Sequence, residues 1–448
     1  GSDPFSNGNT GSMINENQSN TNSVIGSANY DIGHVFGTNS GGLAGLGVVC
    51  NNNNKARGVT GSGAPIGDPF DIDYVCHEMG HQFSGNHTQS NSCNSNAATA
   101  VEPGSASSIM GYAGICAPNV QSNSDDHFHG TSLLEISNFI TSAGHTCPVT
   151  TTLSNGAPVI SGTNGGGIFV PANTPFALTA TATDPNNDPL SYNWEQIDPG
   201  ASGNQTPQAN STNGPNFRSL PSSSSPTRYF PNLVDLANGG PFTWEVLPSV
   251  TRTMDFRCSV RDNAPGGGCA DYMDADVTTV ATAGPFVVNY PNATGITWAA
   301  LTNQTITWSV AGTDVAPINA TTVDIYLSTD GGQSYPNLVM SNVANDGSQL
   351  ITVPNLPTNE ARIMVINSAG TFFDISDNDF TITGATNDYS IALTPVDLQI
   401  CEGTDAVYTI NSTEFGTYSD PITLSVPNVP SGGSVSFSTN PIVPGNST

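Results

Sequence analysis

The sequence predicts a multidomain chain, with an α+β unit over its first third followed by all-β sandwiches. Three observations predict this. The run HEMGHQFSGNH, His77 to His87, carries histidines at helical spacing and then a helix-ending Ser-Gly-Asn. After Pro148 helical patterning gives way to short alternating runs such as FALTATATD and SYNWEQI, separated by turns rich in Asp, Asn and Pro. Finally, 448 residues exceed what one core fills and suggest about three or four domains.

The run from His77 has the narrowest chemical meaning. With Val75 to Phe83 helical, His77 and His81 stand four residues apart on one face and aim their imidazoles at one point. Glu78 sits about 100° round the helix, near enough to address a water at that point without being a ligand. Ser84, Gly85 and Asn86 stop the helix, Gly85 supplying a positive φ, so that His87 returns as a third nitrogen ligand. Three neutral imidazoles with an open fourth position suit a catalytic zinc rather than a closed structural one. Further along, SSIMGY carries Met110 and Tyr112, which by themselves read as ordinary packing.

Composition narrows the class. The 36 acidic residues against 8 basic ones give a net charge of -28, with Lys55 the only lysine. That excludes a basic nucleic-acid footprint and disfavours anionic membranes, and no apolar run is long enough for insertion. Eight cysteines without CxxC spacing point to disulfides in an oxidising compartment, with Cys76 as a candidate buried free thiol. Cys258 and Cys269 flank a glycine-rich turn and are expected to close a local hairpin, while Cys401 stands alone.

Within the first unit a helix is expected near Met13 to Ile25 and strands at Tyr30 to Phe36 and Leu43 to Cys50. The second strand is a candidate edge for extended peptide, or equally a core strand. Thr131 to Ala143 reads as an amphipathic helix with Ser132 and Glu135 as a capping box. His34, His127, His129 and His145 lack metal-ligand spacing. His127 and His129, beside Asp125 and Asp126, read as a solvated acidic loop, with a second metal site as the alternative.

In order, YDIGHVF, GLGVVC, KARGVTG, HEMGHQFSGNHT, SIMGYAGIC and NSDDHFH resemble the reprolysin-like branch of the metzincin metallopeptidases found in bacterial secreted proteases. The resemblance covers roughly Asn29 to Cys147. It implies a zinc site of His77, His81 and His87 with Glu78 as general base, a methionine turn with Met110 under the zinc, Tyr112 as a residue that ligates zinc or steadies the oxyanion, and disulfides Cys50–Cys147 and Cys93–Cys116. It also implies strands and a helix ahead of this segment. The expectation is therefore a partial catalytic domain whose own activity is weak or absent. Ser84 departs from the family glycine and puts the turn geometry in question.

The domain limits expected are 1–150, 151–283, 284–384 and 385–448. The second is an immunoglobulin- or cadherin-like sandwich with a buried-type Trp194. Its Asp184, Asn187 and Asp188 could hold Ca2+ or close a plain Asx turn. The third is an immunoglobulin- or fibronectin-like sandwich whose Ser328, Asp330, Gly332, Ser334 and Tyr335 form an Asp-box hairpin. The last is the start of a further, truncated sandwich.

Together these imply a secreted or cell-surface zinc endopeptidase acting on a protein or peptide substrate. The alternative is an extracellular binding, adhesion or spacer protein whose sandwiches contact a polymer or cell surface, with the metal segment a remnant.

Overall fold

The computed structural model describes residues 3–38, 40–142, 147–200, 206–385, 387–395, 398, 400, 403–416, 418–426, 429 and 432–443. His145 and Cys401 lie outside the described residues. Helix α1, Thr10–Val24, starts where the Asn9 side chain accepts a hydrogen bond from the Ser12 amide, 3.0 Å. It buries Met13, Ile14, Asn17 and Gln18 along one face, the first two against Val59.

Strands β1 (Val35–Gly37), β2 (Gly41–Ala44) and β3 (Gly58–Gly61) form a sheet in the order β1-β3-β2, β1 parallel and β2 antiparallel to the centre. Both expected strands are displaced. Tyr30 lies outside β1 and donates its hydroxyl to Asn22 instead. The second strand ends at Ala44 because Gly47 turns with φ 62°, and the Gly47 and Val48 amides then donate to His81 and Gln82 carbonyls. The stretch Gly47 to Cys50 thus caps the metal helix, leaving β2 as the free edge.

That helix is built in three pieces: α2 (Asp68–Phe70), a π-helical stretch (Asp71–Cys76) and α3 (His77–Gln82). The wide turn ends directly before the first histidine, a position typical of functional π-bulges. Helix α4, Gly130–Thr141, is capped by the His129 side chain, which accepts from the Thr131 amide, rather than by a Ser132–Glu135 box. Disulfides join Cys50 to Cys147 and Cys93 to Cys116.

The β body follows. Strands β4 (Val159–Thr163), β6 (Phe176–Thr183) and β8 (Thr227–Phe230) form one sheet. Strands β5 (Ile168–Pro171), β10 (Ala270–Val280), β9 (Arg252–Arg261) and β7 (Ser191–Gln196) form the other, in that order, with the short helix α5 (Leu233–Ala237) after β8. A first strand split between sheets as β4 and β5, with β6 and β8 opposite β7, β9 and β10, is the order of an immunoglobulin-like sandwich. Trp194 on β7 is 2% exposed and donates its indole N–H to the Pro226 carbonyl.

The expected Cys258–Cys269 disulfide is absent; both are free thiols. The β9–β10 register pairs Cys258 with Met273 and the β7–β9 register pairs it with Trp194, while Cys269 sits at the turn beside Asp262. Cys258 therefore fills the core, where burial pushes its thiol up to about 12. Asp184 accepts from the Asn186 and Asp188 amides, the plain Asx turn rather than an oxygen cage.

The next sandwich repeats the scheme. One sheet is β11 (Val287–Tyr290), β13 (Asn303–Ser309) and β16 (Ser348–Thr352). The other runs β12 (Thr297–Ala299), β19 (Phe380–Thr383), β17 (Thr358–Asn367), β14 (Thr322–Ser328) and β15 (Asn337–Ala344), with β18 (Phe373–Ile375) beside β17. The Asp-box turn closes as its residue types demand, Asp330 accepting from Ser328, the Ser334 amide and the Ser334 hydroxyl. Beyond it β20 (Asn387–Thr394) and β21 (Thr409–Gly416) pair antiparallel.

The α+β unit and the first sandwich meet through buried polar groups. Glu195, 1% exposed, accepts from the Gly130 amide at 2.6 Å and from the Ser219 hydroxyl, with His127 and His129 at 3.7 and 3.8 Å. Burial alone would raise this carboxyl, but the nearby ring N–H groups of His129 and His127 and the bond from Ser219 outweigh it and hold it at about 2. A depressed carboxyl stabilises above the ordinary carboxylate range and loses that contribution as pH falls towards its folded value. The thermal midpoint of wild type should therefore exceed that of Glu195→Gln above about pH 4.5, and the gap should narrow as pH falls towards 2 in calorimetric scans.

Candidate metal centre

The three histidines converge because α3 ends abruptly. The Gly85 amide donates back to the Gly80 carbonyl at 2.8 Å and the Ser84 amide to His81. The positive φ expected of Gly85 falls instead on Ser84, at 75°. A Cβ on Gly85 would lie 3.1 Å from the Gly80 oxygen, so glycine there serves close backbone approach. The left-handed Ser84 costs about 1 kcal/mol, which the reversal returning His87 to the helix offsets.

Each imidazole is fixed from behind by a backbone carbonyl. His77 Nδ1 bonds Ile109 O at 2.8 Å, His81 Nδ1 bonds Gly85 O at 2.7 Å, and His87 Nδ1 bonds Asn94 O at 2.7 Å. A carbonyl only accepts, so each Nδ1 carries the proton and each Nε2 presents a lone pair. Those lone pairs face one another. His87 Nε2 lies 3.2 Å from that of His77 and 3.0 Å from that of His81. With no proton available between them, the set needs a cation, and tetrahedral zinc with Zn–N of about 2.0–2.1 Å places its nitrogens about 3.3 Å apart. The residues fit the ion. Burial and the neighbouring imidazoles push His77 down to about 3 and His81 down to about 4, and burial lowers His87, so all three are neutral at pH 7.

Glu78 stands beside this point without joining it. Burial pushes its carboxyl up to about 8. A Cβ added at Gly42 on the edge strand β2 would sit 2.2 Å from Glu78 Oε1, so only glycine there leaves the carboxylate its place. Met110 is fully buried under α3, and a Cβ on Gly80 would lie 2.4 Å from its sulfur. A helix-interior glycine that costs about 1 kcal/mol against alanine is thereby explained. The Tyr112 ring lies 4.7 Å from that of His87, and its hydroxyl accepts from Asn94 Nδ2. Glu78, His81, His87 and Tyr112 line a cleft of about 560 Å³ between Leu43 and Leu46 on one side and Asn94 to Ala97 on the other.

Several supporting residues escaped the sequence reading. Glu102, fully buried, accepts from the Ser107 and Ser108 amides and shapes the turn that carries Met110. Glu135 accepts from the Asn86 amide and side chain at 2.9 and 2.7 Å and so braces the loop before His87. His34 links Gln82 and Thr60 beneath the helix. A lone acid within a Ser/Ala-rich run was the one available signal for Glu102. His127 and His129 are buried against Glu195 rather than in a solvated loop. Cys76 keeps a free thiol on the far side of the helix, where burial and Asp71 raise it. Among the described residues, the one His/Cys/Asp/Glu group close enough to hold an ion is His77, His81 and His87.

The helix, the carbonyl-backed histidine triad and the buried glutamate at an edge strand define a metallopeptidase-type site. Residues 1–88 match the family model described as Metallo-peptidase family M12B Reprolysin-like. The matched stretch includes all three histidines and Glu78 and ends before Met110 and Tyr112, so the N-terminal region is reprolysin-like. No curated protein matches the chain. Among solved structures the chain is similar to the fibronectin(III)-like modules of Clostridium thermocellum CbhA, at 9% identity over 50% of this chain and 94% of that one, TM-score 0.17. It is also similar to Sidekick-1 immunoglobulin domains 1-5, at 10% identity over 59% and 46% of the two chains, TM-score 0.16. Drosophila OTK extracellular domains 3-5 match at 11% identity over 58% and 78%, TM-score 0.16. At these scores the likenesses add nothing to the strand order that defines the sandwiches.

Two substitutions test the site's backbone. Gly42→Ala should displace Glu78, leaving zinc content intact while lowering kcat/KM for peptide hydrolysis about a hundredfold, as a catalytic group moved by about 1 Å does. Ser84→Gly should raise the unfolding free energy in urea by about 1 kcal/mol through relief of the left-handed serine.

Proposed function

We propose that the chain is a secreted zinc-dependent endopeptidase, with residues 1–150 as its catalytic unit and 151–283, 284–384 and 385–448 as appended β units. What carries the reading is three Nε2 lone pairs aimed at one point with Glu78 alongside, in a cleft one wall of which is a free strand edge. That edge suits an extended peptide, whose main chain would pair with β2 while its side chains meet Leu43, Leu46 and the neutral Asn94 to Ala97 wall.

A bound zinc supplies Lewis-acid polarisation of the scissile carbonyl and acidifies water, and its charge favours ionised Glu78. The chain's own residues do the rest. Glu78, held by burial and by the space at Gly42, takes a proton from the attacking water and returns it to the leaving nitrogen. Tyr112, at the rim and tied to Asn94, is placed to hydrogen-bond the developing oxyanion. Met110 and Glu102 keep the floor rigid, so that the triad does not reorganise when substrate enters.

The β sandwiches are compatible with the binding or spacer reading. A remnant site, however, has no need of glycine at 42 and 80 or of three carbonyl-backed imidazoles. Among the described residues no helix is long and apolar enough to cross a membrane.

With zinc restored after chelation, the chain should cleave a mixed peptide library weakly, with product ends read by mass. Glu78→Gln should keep its zinc and lose roughly 10²–10⁴ in kcat. Wild-type rates in that variant would refute the assigned base.

A further inference from the structure

The first sandwich does more than sit beside the metal centre. From His77 Nδ1 a hydrogen-bonded path leads out of the α+β unit. His77 donates to Ile109 O at 2.8 Å, and the other side of that residue, its amide, donates to His127 O at 3.0 Å. His127 Nε2 meets the Ser219 hydroxyl at 2.8 Å, and Ser219 donates in turn to Glu195. Ser219 and Glu195 both belong to the sandwich, and each is 1% exposed.

A second pair of bonds reinforces the path. The Ser107 hydroxyl, in the turn that carries Met110, donates to the Ser219 carbonyl at 2.9 Å, and Glu195 Oε2 takes the Gly130 amide at the start of α4. Because the His129 Nδ1 accepts from the Thr131 amide, its proton stands on Nε2, facing Glu195 at 3.8 Å. The Glu195 carboxylate on strand β7 and the Ser219 that it holds thus fix the two ends of the segment 107–130, whose Ile109 carbonyl sets the tautomer and tilt of the first metal ligand. Nothing in a spacer requires a fully buried acid pointed into its neighbour, and burying one costs several kcal/mol unless it is satisfied as here.

We propose that Glu195 is a positioning residue of the metal centre, acting through Ser219, His127 and Ile109 on His77, so that the first sandwich is an integral part of the catalytic unit. This rests on the endopeptidase reading for its functional meaning, though not for its test. Outer-shell partners of metal-bound histidines typically change metal affinity by about 10–100-fold when removed, and Glu195 stands one peptide further out.

The experiment uses the full chain. In the metal-free protein, amide exchange at Ile109 is measured for wild type, Glu195→Gln and Ser219→Ala, with Trp244→Phe, whose ring packs on Gly104 at the same interface, as a control off the path. In parallel, Co(II) affinity is measured by competition with a chromophoric chelator, and the visible band of the bound Co(II) is recorded. The proposal predicts about tenfold faster Ile109 exchange, about tenfold weaker Co(II) binding and an altered band in the first two variants, with strands β13 to β17 exchanging as before and the control unchanged. A purely structural role would lower the melting temperature and leave the band alone. Wild-type Ile109 exchange and Co(II) affinity in folded Glu195→Gln would overturn the proposal, and Ser219→Ala decides if that variant does not fold. Absence of peptide cleavage, with Ile109 responding as stated, would remove the endopeptidase reading and leave the coupling intact.

Discussion

Three imidazole lone pairs forced to face one another are the constraint around which the rest of this unit is arranged. Each Nδ1 is committed to a carbonyl, those of Ile109, Gly85 and Asn94, and each carbonyl comes from a different turn. Without a cation the arrangement is electrostatically unfavourable, which explains why so much surrounding structure is fixed by strong, buried hydrogen bonds. Glu102 holds the Met110 turn, Glu135 the loop before His87, and Glu195 the segment between. In a chain with few cations, the buried carboxylates of Glu102 and Glu195 are satisfied by amides, hydroxyls and histidines in place of lysine and arginine.

The convergence of His77, His81 and His87 was legible in the sequence because helical spacing and a short return to His87 are local facts. So was the strained Ser84, although the positive φ expected of Gly85 did not form. The β body was legible for a similar reason: alternation is local, and Trp194 and the Asp-box hairpin carry their own signatures. What stayed hidden was relational. The edge strand came out at Gly41–Ala44 because Gly47 and Val48 were claimed by the end of α3, a pairing that no periodicity announces. The Cys258–Cys269 pairing failed because strand register, unseen in sequence, put Cys258 opposite Trp194 and Met273. His127 and His129 read as solvated because their partner, Glu195, lies far along the chain.

Glycines 42 and 80 show how function and packing meet. Each sits in a strand or helix where glycine is costly, and each does so because a chemically active neighbour occupies the space its side chain would take. The same logic extends across the unit boundary, where Gly104 admits Trp244 and Gly130 admits Glu195 and Arg257. The peptidase-like unit and first sandwich share this close-packed, hydrogen-bonded interface, and the two sandwiches meet through apolar groups such as Tyr229 and Phe373 together with bonds from Ala177 to Thr371 and from Phe373 to Pro175.

X-ray absorption at the zinc edge of the zinc-loaded chain tests the central claim most directly. The account predicts one zinc per chain with three imidazole nitrogens at about 2.0–2.1 Å, one or two further light-atom scatterers, and no sulfur. A sulfur scatterer from Cys76, a closed fourth protein ligand, or failure to take up zinc at all would contradict it.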